Sequence, residues 1–144
     1  MIAIDTNVLL RYLLQDDKRQ SAKSNKLLSG AEKILITDVV LAETIWTLKG
    51  KKYRLAKEDL SLVIEQIFKE PNITFEDGQT VWRAYNAFRE SKTVKVGAKQ
   101  KAADFADALI REKSRYEAER KDQNFSGLYS FDTAAQQFDG VKKP

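Results

Sequence analysis

The stretch Ile2-Ala3-Ile4-Asp5-Thr6-Asn7-Val8-Leu9-Leu10-Arg11-Tyr12-Leu13-Leu14 decides the fold of this chain. Its first three residues form an apolar run, which predicts a short buried strand that ends at Asp5. Apolar side chains then recur with helical spacing from Val8 to Leu14. The sequence therefore opens with a strand, a tight junction that carries a carboxylate, and a helix.

The same alternation of short apolar strands and longer helices continues along the chain. Further strands are predicted at Ile34–Ile36, Ile73–Phe75 and Leu128–Phe131, with Val141 as a last edge strand. Helices are predicted at Lys18–Leu28, Val39–Leu48, Leu55–Phe68, Asp77–Arg89, Ala102–Lys121 and Thr133–Phe138, and the lysine-rich segment Ser91–Gln100 is predicted to be a loop. This order favours an α/β fold, with a parallel sheet flanked by helices on both faces.

Length and composition limit the class of protein. At 144 residues the chain has the usual size of one compact domain, so we predict a single domain over residues 1–144. The chain contains no cysteine and no histidine, which excludes disulfides, thiolate zinc sites and nucleophiles activated by imidazole. There is no secretion signal and no apolar run near the roughly 20 residues of a membrane-spanning helix. We therefore expect a cytoplasmic protein that does not associate with a membrane.

The net charge of +4 suits a polyanionic partner without requiring one. The positive charges are concentrated in two clusters. The first contains Lys49, Lys51, Lys52, Arg54 and Lys57, and the second contains Lys92, Lys95, Lys99 and Lys101. Each cluster alone is equally compatible with solvated charge on helix ends and loops.

Two aspartates occupy positions where parallel sheets commonly bind ligands. Ligands of such sheets bind at the carboxyl ends of the strands. Asp5 follows the first predicted strand, and Asp132 ends the fourth. An aspartate before a helix is also a common N-cap, so either residue alone has two interpretations.

Glu43 lies inside an apolar helix, where helical geometry puts Val39, Val40 and Trp46 on its own side. A glutamate within an apolar stripe is costly unless a cation or hydrogen-bond donors meet it. The alternative is a glutamate at the edge of the stripe that reaches solvent.

Asp104 and Asp107 repeat this anomaly, because they lie three residues apart among small and apolar side chains. Like charges so placed persist most easily when a divalent cation lies between them or their pKa values rise. The alternative is an exposed acidic helix start that complements the helix dipole. Oxygen ligands of this kind select Mg²⁺ or Mn²⁺, and a carboxylate-held Mg²⁺ can activate water against a phosphate.

At these residues the sequence resembles the PIN domain family and, within it, the VapC-type toxins of type II toxin–antitoxin systems. The resemblance covers nearly the whole chain and rests on four motifs in the correct order. They are IAIDTNVLLRYLLQDD at residues 2–17, VVLAE at residues 39–43, ADFADALI at residues 103–110, and SFDT at residues 130–133.

The resemblance implies a parallel sheet of strand order 3-2-1-4-5, a Mg²⁺-dependent endoribonuclease, a homodimer, and a small antitoxin that inserts into the active-site groove. It implies that the catalytic and metal-binding residues are Asp5, Glu43 and Asp107, with Asp104 beside them and Asp132 completing the pocket. Thr6 and Thr133 are expected to hydrogen-bond carboxylates or metal-bound water, and Asn7 to brace the loop. Because the groove is acidic, the antitoxin should present an arginine or lysine to it.

The sequence departs from the family pattern at two places. Arg111 stands where the family often has a small residue, and the segment Glu112 to Asn124 lengthens the gap before Asp132. Both departures concern the third and fourth motifs, so the sequence supports the assignment of Asp132 less strongly than that of the other acids.

Other functions stay open from the sequence. An acid-pocket phosphotransfer domain is one, although Asp5-Thr6-Asn7 has asparagine where such domains carry a second acid. A non-catalytic module that binds RNA through its lysines is another. A third is a PIN nuclease that cuts structured DNA or ribosome-precursor RNA and is not a toxin.

Overall fold

The computed structural model describes every residue from Met1 to Pro144 and contains two compact units, Met1–Gly78 and Gln79–Pro144. We call them unit one and unit two and describe each by itself. No helix in either unit is long and apolar enough to cross a membrane.

Unit one contains three parallel strands and four helices. The strands are β1 (Ile2–Ala3), β2 (Ile34–Ile36) and β3 (Ile73–Phe75), and the helices are α1 (Thr6–Leu14), α2 (Lys18–Leu28), α3 (Asp38–Lys49) and α4 (Lys57–Lys69). β2 lies in the middle, with Ile2 opposite Ile34 and Ile34 opposite Ile73. The predicted order 3-2-1 is therefore confirmed for these strands.

The core of unit one explains why these segments fold as they do. Ile34 and Ile36 lie on one face of β2 and are completely buried, while Leu35 on the other face is half-buried. Leu9 of α1 and Leu41 of α3 are also completely buried. Each such side chain stabilises the fold by about 1.5–3 kcal/mol relative to an exposed one.

Unit two begins at the second residue of helix α5 (Gly78–Glu90) and contains the remaining elements. They are β4 (Val94–Val96), β5 (Lys99–Lys101), α6 (Phe105–Arg120), β6 (Leu128–Tyr129), a 3₁₀ turn at Ala135–Gln137, and β7 (Val141–Lys142). β6 and β7 pair in parallel, with Leu128 opposite Val141, as expected for neighbouring strands 4 and 5. The helix predicted at Thr133–Phe138 is only this 3₁₀ turn.

The prediction of a loop at Ser91–Gln100 is wrong. β4 and β5 form an antiparallel ribbon, in which Val94 faces Lys101 and Val96 faces Lys99. Gly97 has a φ of +61° and is the first central residue of the tight turn, a position where glycine avoids strain. Valines that alternate with polar residues before a glycine are a hairpin signal, which the lysine content obscured.

Aromatic packing and one buried ion pair form the core of unit two. Phe88 and Phe105 meet edge to face, with ring centroids 5.9 Å apart. Arg111 is buried beside Glu112, which accepts a hydrogen bond from its guanidinium, and the Arg111 Nε donates to the Asp139 carbonyl oxygen at 2.6 Å. The arginine that departs from the family pattern therefore ties α6 to the segment before β7.

Candidate active site

Asp5 lies at the carboxyl end of β1 and caps helix α1. Its Oδ1 accepts a hydrogen bond from the Val8 backbone N–H at 2.9 Å, and its side chain is exposed. A carboxylate has two oxygens that accept several hydrogen bonds or bind a cation. Because the cap uses only Oδ1, Oδ2 remains available, and capping does not exclude a role in metal binding.

Thr6 connects the first acidic motif to the second. Its hydroxyl donates to Glu43 Oε2 over 2.6 Å, a short hydrogen bond of the kind made to a charged acceptor. Thr6 is the first residue of α1 and follows Asp5 directly, while Glu43 lies in the middle of α3. The fold of unit one thus brings the Asp5 motif and Glu43 together.

The surroundings of Glu43 differ from the prediction. Val39 is 74% exposed and Trp46 is 68% exposed, and Glu43 itself is exposed. The buried side of α3 consists of Leu41, Thr44, Ile45 and Leu48. The interpretation of Glu43 as a charge inside a buried stripe is therefore wrong, because α3 is apolar nearly all round and its spacing does not identify the buried face.

Asp104 and Asp107 form the start of helix α6. Asp104 is the N-cap, and Asp107 Oδ2 accepts a hydrogen bond from the Asp104 backbone N–H at 3.2 Å. Both side chains are half-buried. The two acids are therefore related by helix-start geometry, and their negative charges complement the positive end of the helix dipole.

Asp132 follows β6 and is surrounded by donors. Its Oδ1 accepts from the Ala134 N–H at 2.8 Å, and its Oδ2 lies 3.1 Å from the Lys101 ammonium. Partial burial acts to raise the pKa of Asp132, but the hydrogen bond from Lys101 and those from backbone N–H groups outweigh it. The pKa of Asp132 consequently lies below its ordinary value.

Comparison with known proteins decides the family. The profile of the PIN domain family matches residues 2–139. The chain belongs to the PIN domain family. This confirms the family predicted from the four acidic motifs.

The structure of this PIN domain is similar to the crystal structure of VapC20 from Mycobacterium tuberculosis, described as a sarcin-ricin loop cleaving toxin. The TM-score is 0.39, with 15% sequence identity over 98% of this chain and 97% of that one. No curated protein matches the sequence.

Lys101 is the functional candidate that the sequence did not identify in this PIN domain. The sequence shows that Lys101 belongs to a lysine cluster. The contact of Lys101 with Asp132 joins two segments that no sequence spacing relates. Asn7 and Thr133 are exposed and make no side-chain hydrogen bond. The acid pair after the first helix has local roles: Asp16 binds the Arg11 guanidinium at 2.7 Å, and Asp17 caps α2.

The acidic side chains are the candidate metal ligands of this PIN domain. No group of three or more acidic side chains is arranged as a complete metal site. The donors are nevertheless all carboxylate oxygens, which suit Mg²⁺ and Mn²⁺. The chemistry of these ligands therefore fits a hard divalent cation. Within unit one, the hydrogen bond from Thr6 to Glu43 connects the first two acidic motifs.

Proposed function

We propose that this chain is a single PIN domain over residues 1–144 that acts as a Mg²⁺-dependent endoribonuclease. The observation that carries the proposal is the hydrogen bond from Thr6 to Glu43, which joins the acidic motif at the end of β1 to the acidic motif of α3. Membership of the PIN family over residues 2–139 supports nuclease chemistry at these carboxylates.

In this proposal the metal ligands would be Asp5, Glu43 and Asp107, with Asp104 and Asp132 as further acidic ligands. When bound, Mg²⁺ or Mn²⁺ would supply positive charge that offsets the negative charge of a phosphate. It would also lower the pKa of a water molecule, which makes that water a stronger nucleophile toward the phosphate. The remaining requirements are positional and must be met by side chains of the chain itself.

Positioning in unit one depends on two hydrogen bonds. The Val8 N–H holds Asp5 Oδ1, which leaves Oδ2 outside this hydrogen bond. The Thr6 hydroxyl fixes Glu43 Oε2, which restrains a long side chain that would otherwise sample many rotamers. Both carboxylates thereby keep a defined geometry before a cation or substrate binds.

We also propose that the protein is the toxin of a toxin–antitoxin pair, acting in the cytoplasm as a homodimer. The VapC-like opening at residues 2–17 supports this role. Val39 and Trp46 are exposed on the same side of α3 as Glu43, and exposed apolar side chains around a charge are typical of protein interfaces. An antitoxin would place an arginine or lysine against Glu43 and cover these two side chains.

Cleavage of total bacterial RNA by the purified protein in Mg²⁺, Mn²⁺ or EDTA tests the ribonuclease. Asp5→Ala should abolish metal-dependent cleavage, because it removes a proposed ligand. Asp59→Ala is the matched control, since Asp59 is an exposed aspartate in the first turn of α4, remote in sequence from every acidic motif. It should cleave like the wild type.

Three results would contradict the proposal. Equal cleavage by wild type and Asp5→Ala would show that the activity does not depend on this carboxylate. No cleavage by any sample, together with no Mg²⁺ or Mn²⁺ binding by calorimetry, would favour a non-catalytic RNA-binding module. Transfer of a phosphoryl group to Asp5 from a small phosphodonor would instead favour the phosphotransfer alternative.

A further inference from the structure

The β4–β5 ribbon of unit two carries four exposed lysines and no acidic residue. The lysines are Lys92, Lys95, Lys99 and Lys101, and the segment from Ser91 to Ala103 contains neither aspartate nor glutamate. Only Lys101 makes an ion pair. The other three ammonium groups have no protein carboxylate to compensate them.

The ribbon is built to hold this charge in an ordered position. Across the ladder each lysine faces a neutral residue: Lys95 faces Gln100, Lys99 faces Val96, and Lys101 faces Val94. This avoids the repulsion between like charges placed directly opposite each other. Gln137 holds the base of the ribbon, because its side chain accepts from the Lys92 N–H and donates to the Lys92 carbonyl, each at 2.8 Å.

We propose that the ribbon is an arm that binds the phosphate backbone of RNA without reading its sequence and leads the strand to Asp132. The choice of RNA rests on the proposed function. Uncompensated lysines bind polyanions mainly by releasing condensed counterions, and this gain does not depend on base identity. Strand alternation puts Lys99 and Lys101 on one face of the ribbon and Lys95 on the other, so the arm is positive on both faces.

The composition of the ribbon favours contact with phosphates over base stacking. It has no aromatic ring on which a base could stack and no arginine, and Gln100 is its one amide side chain that could read a base edge, against four lysines that can bind phosphates. Amphipathic segments that enter a membrane surface carry large apolar or aromatic anchors, and here the one large apolar side chain that is exposed is Val96, at 40%. Contact between the lysines and phosphates is therefore the mode of binding that the composition favours.

Lys101 differs from the other lysines because Asp132 already compensates its charge over 3.1 Å. In the absence of a metal ion, three lysines should therefore contribute to RNA binding and Lys101 should contribute little. Neutralising Asp132 releases Lys101 to bind a phosphate. The arm and the fourth acidic motif are thus coupled through one ion pair.

The test is the salt dependence of binding to a labelled oligouridylate of about 12 nucleotides, a length typical of single-strand sites. It is measured in EDTA with Asp5→Ala protein, so that no cleavage occurs. Combining Lys92→Gln, Lys95→Gln and Lys99→Gln should flatten the slope of log K against log salt by about 2, at about 0.7 per lost contact. The matched control combines Lys18→Gln, Lys23→Gln and Lys26→Gln, which removes equal charge from exposed lysines of α2.

The control should keep the wild-type slope, and equal flattening by both triple variants would overturn the proposal. Asp132→Asn should tighten binding and steepen the slope by about 0.7, because it frees Lys101. The same substitution in a Lys101→Gln background should not change the slope. A change of the same size in both backgrounds would disprove the coupling.

The outcomes separate this inference from the ribonuclease proposal. Ribbon-dependent binding without cleavage in Mg²⁺ would support the arm and count against the ribonuclease. Cleavage by the wild type, with unchanged RNA affinity in the ribbon triple variant, would overturn the arm and leave the ribonuclease intact. Ribbon-dependent binding to phosphatidylserine vesicles, with none to the oligouridylate, would replace RNA by a membrane surface and overturn the proposal.

Discussion

The carboxylates of unit one and the Asp132 carboxylate of unit two are held by different kinds of donor. Asp5 and Glu43 accept hydrogen bonds from an uncharged amide and an uncharged hydroxyl, and neither lies in an ion pair. Asp132 is bound by an ammonium group and by backbone N–H groups. Unit one therefore keeps its negative charge available to a cation, while Asp132 must first give up a lysine.

Because of this difference, we expect the carboxylates to contribute unequally to the affinity for a metal ion. A metal ion that approaches Asp5 and Glu43 displaces no cation, whereas one that approaches Asp132 competes with Lys101. An exposed lysine–carboxylate pair contributes only about 0–1 kcal/mol, so the competition is weak but measurable. We therefore expect the acids of unit one to dominate metal affinity and Asp132 to modulate it.

The largest expected effect compares Glu43→Ala with Asp132→Ala. Substitutions outside the first coordination shell often cost 10–100-fold in activity, so loss of a proposed ligand in unit one should reduce metal-dependent RNA cleavage by more than about 100-fold. Asp132→Ala should cost less, because the wild-type charge is already partly compensated. Initial rates measured over a series of Mg²⁺ concentrations give both values, and a larger loss for Asp132→Ala would reverse the comparison.

The intermediate effect concerns the hydroxyl that restrains Glu43. Thr6→Ala should lower the cleavage rate by about 10-fold, the lower end of the range for residues that orient a ligand. Thr6→Ser should restore most of the rate, since it retains the donor. Asp59→Ala again serves as the control, because this exposed aspartate of α4 lies outside every acidic motif. If Thr6→Ser fails to recover activity, the role of Thr6 lies in packing and not in hydrogen bonding.

The smallest expected effect is the dependence of stability on pH. The pKa of Asp132 is lowered in the folded protein, so its ionisation stabilises the fold above the unfolded pKa of about 3.9. That contribution is lost as the pH falls through the lower folded value. Lys101→Ala should raise the pKa of Asp132 and reduce the free energy of unfolding at pH 7 by less than about 1 kcal/mol. A carboxyl NMR titration measures the pKa, and an unchanged value would show that Lys101 does not bind Asp132 in solution.

The sequence predicted the elements of unit one well, because the local spacing of apolar residues indicates which segments form buried strands and helices. Ile34 and Ile36 lie in a short apolar run bounded by polar residues, and such a run has few alternatives to a buried strand. Helix ends moved by only one or two residues, as in α4, which begins at Lys57 and not at Leu55. Caps and turns set such boundaries, and their chemistry is weaker than the hydrophobic pattern.

Residue spacing could not predict the contacts of the candidate site, although the family resemblance implied that Thr6 hydrogen-bonds a carboxylate. The hydrogen bond from Thr6 to Glu43 joins residues 37 positions apart, and the pair of Lys101 and Asp132 joins two separate elements of unit two. Such contacts depend on how elements pack, which one-dimensional periodicity does not encode. The exposed side of α3 was missed for a related reason, since Val39 and Trp46 are apolar and still face solvent.

The lysines of the β4–β5 ribbon have a consequence for aggregation. A two-stranded ribbon has two unpaired edges, and open edges invite pairing with another chain. Lysines at such edges oppose that pairing by repulsion between copies, and this repulsion is screened by salt. High salt should therefore remove the protection of the ribbon edges, and self-association of the purified protein should increase under those conditions.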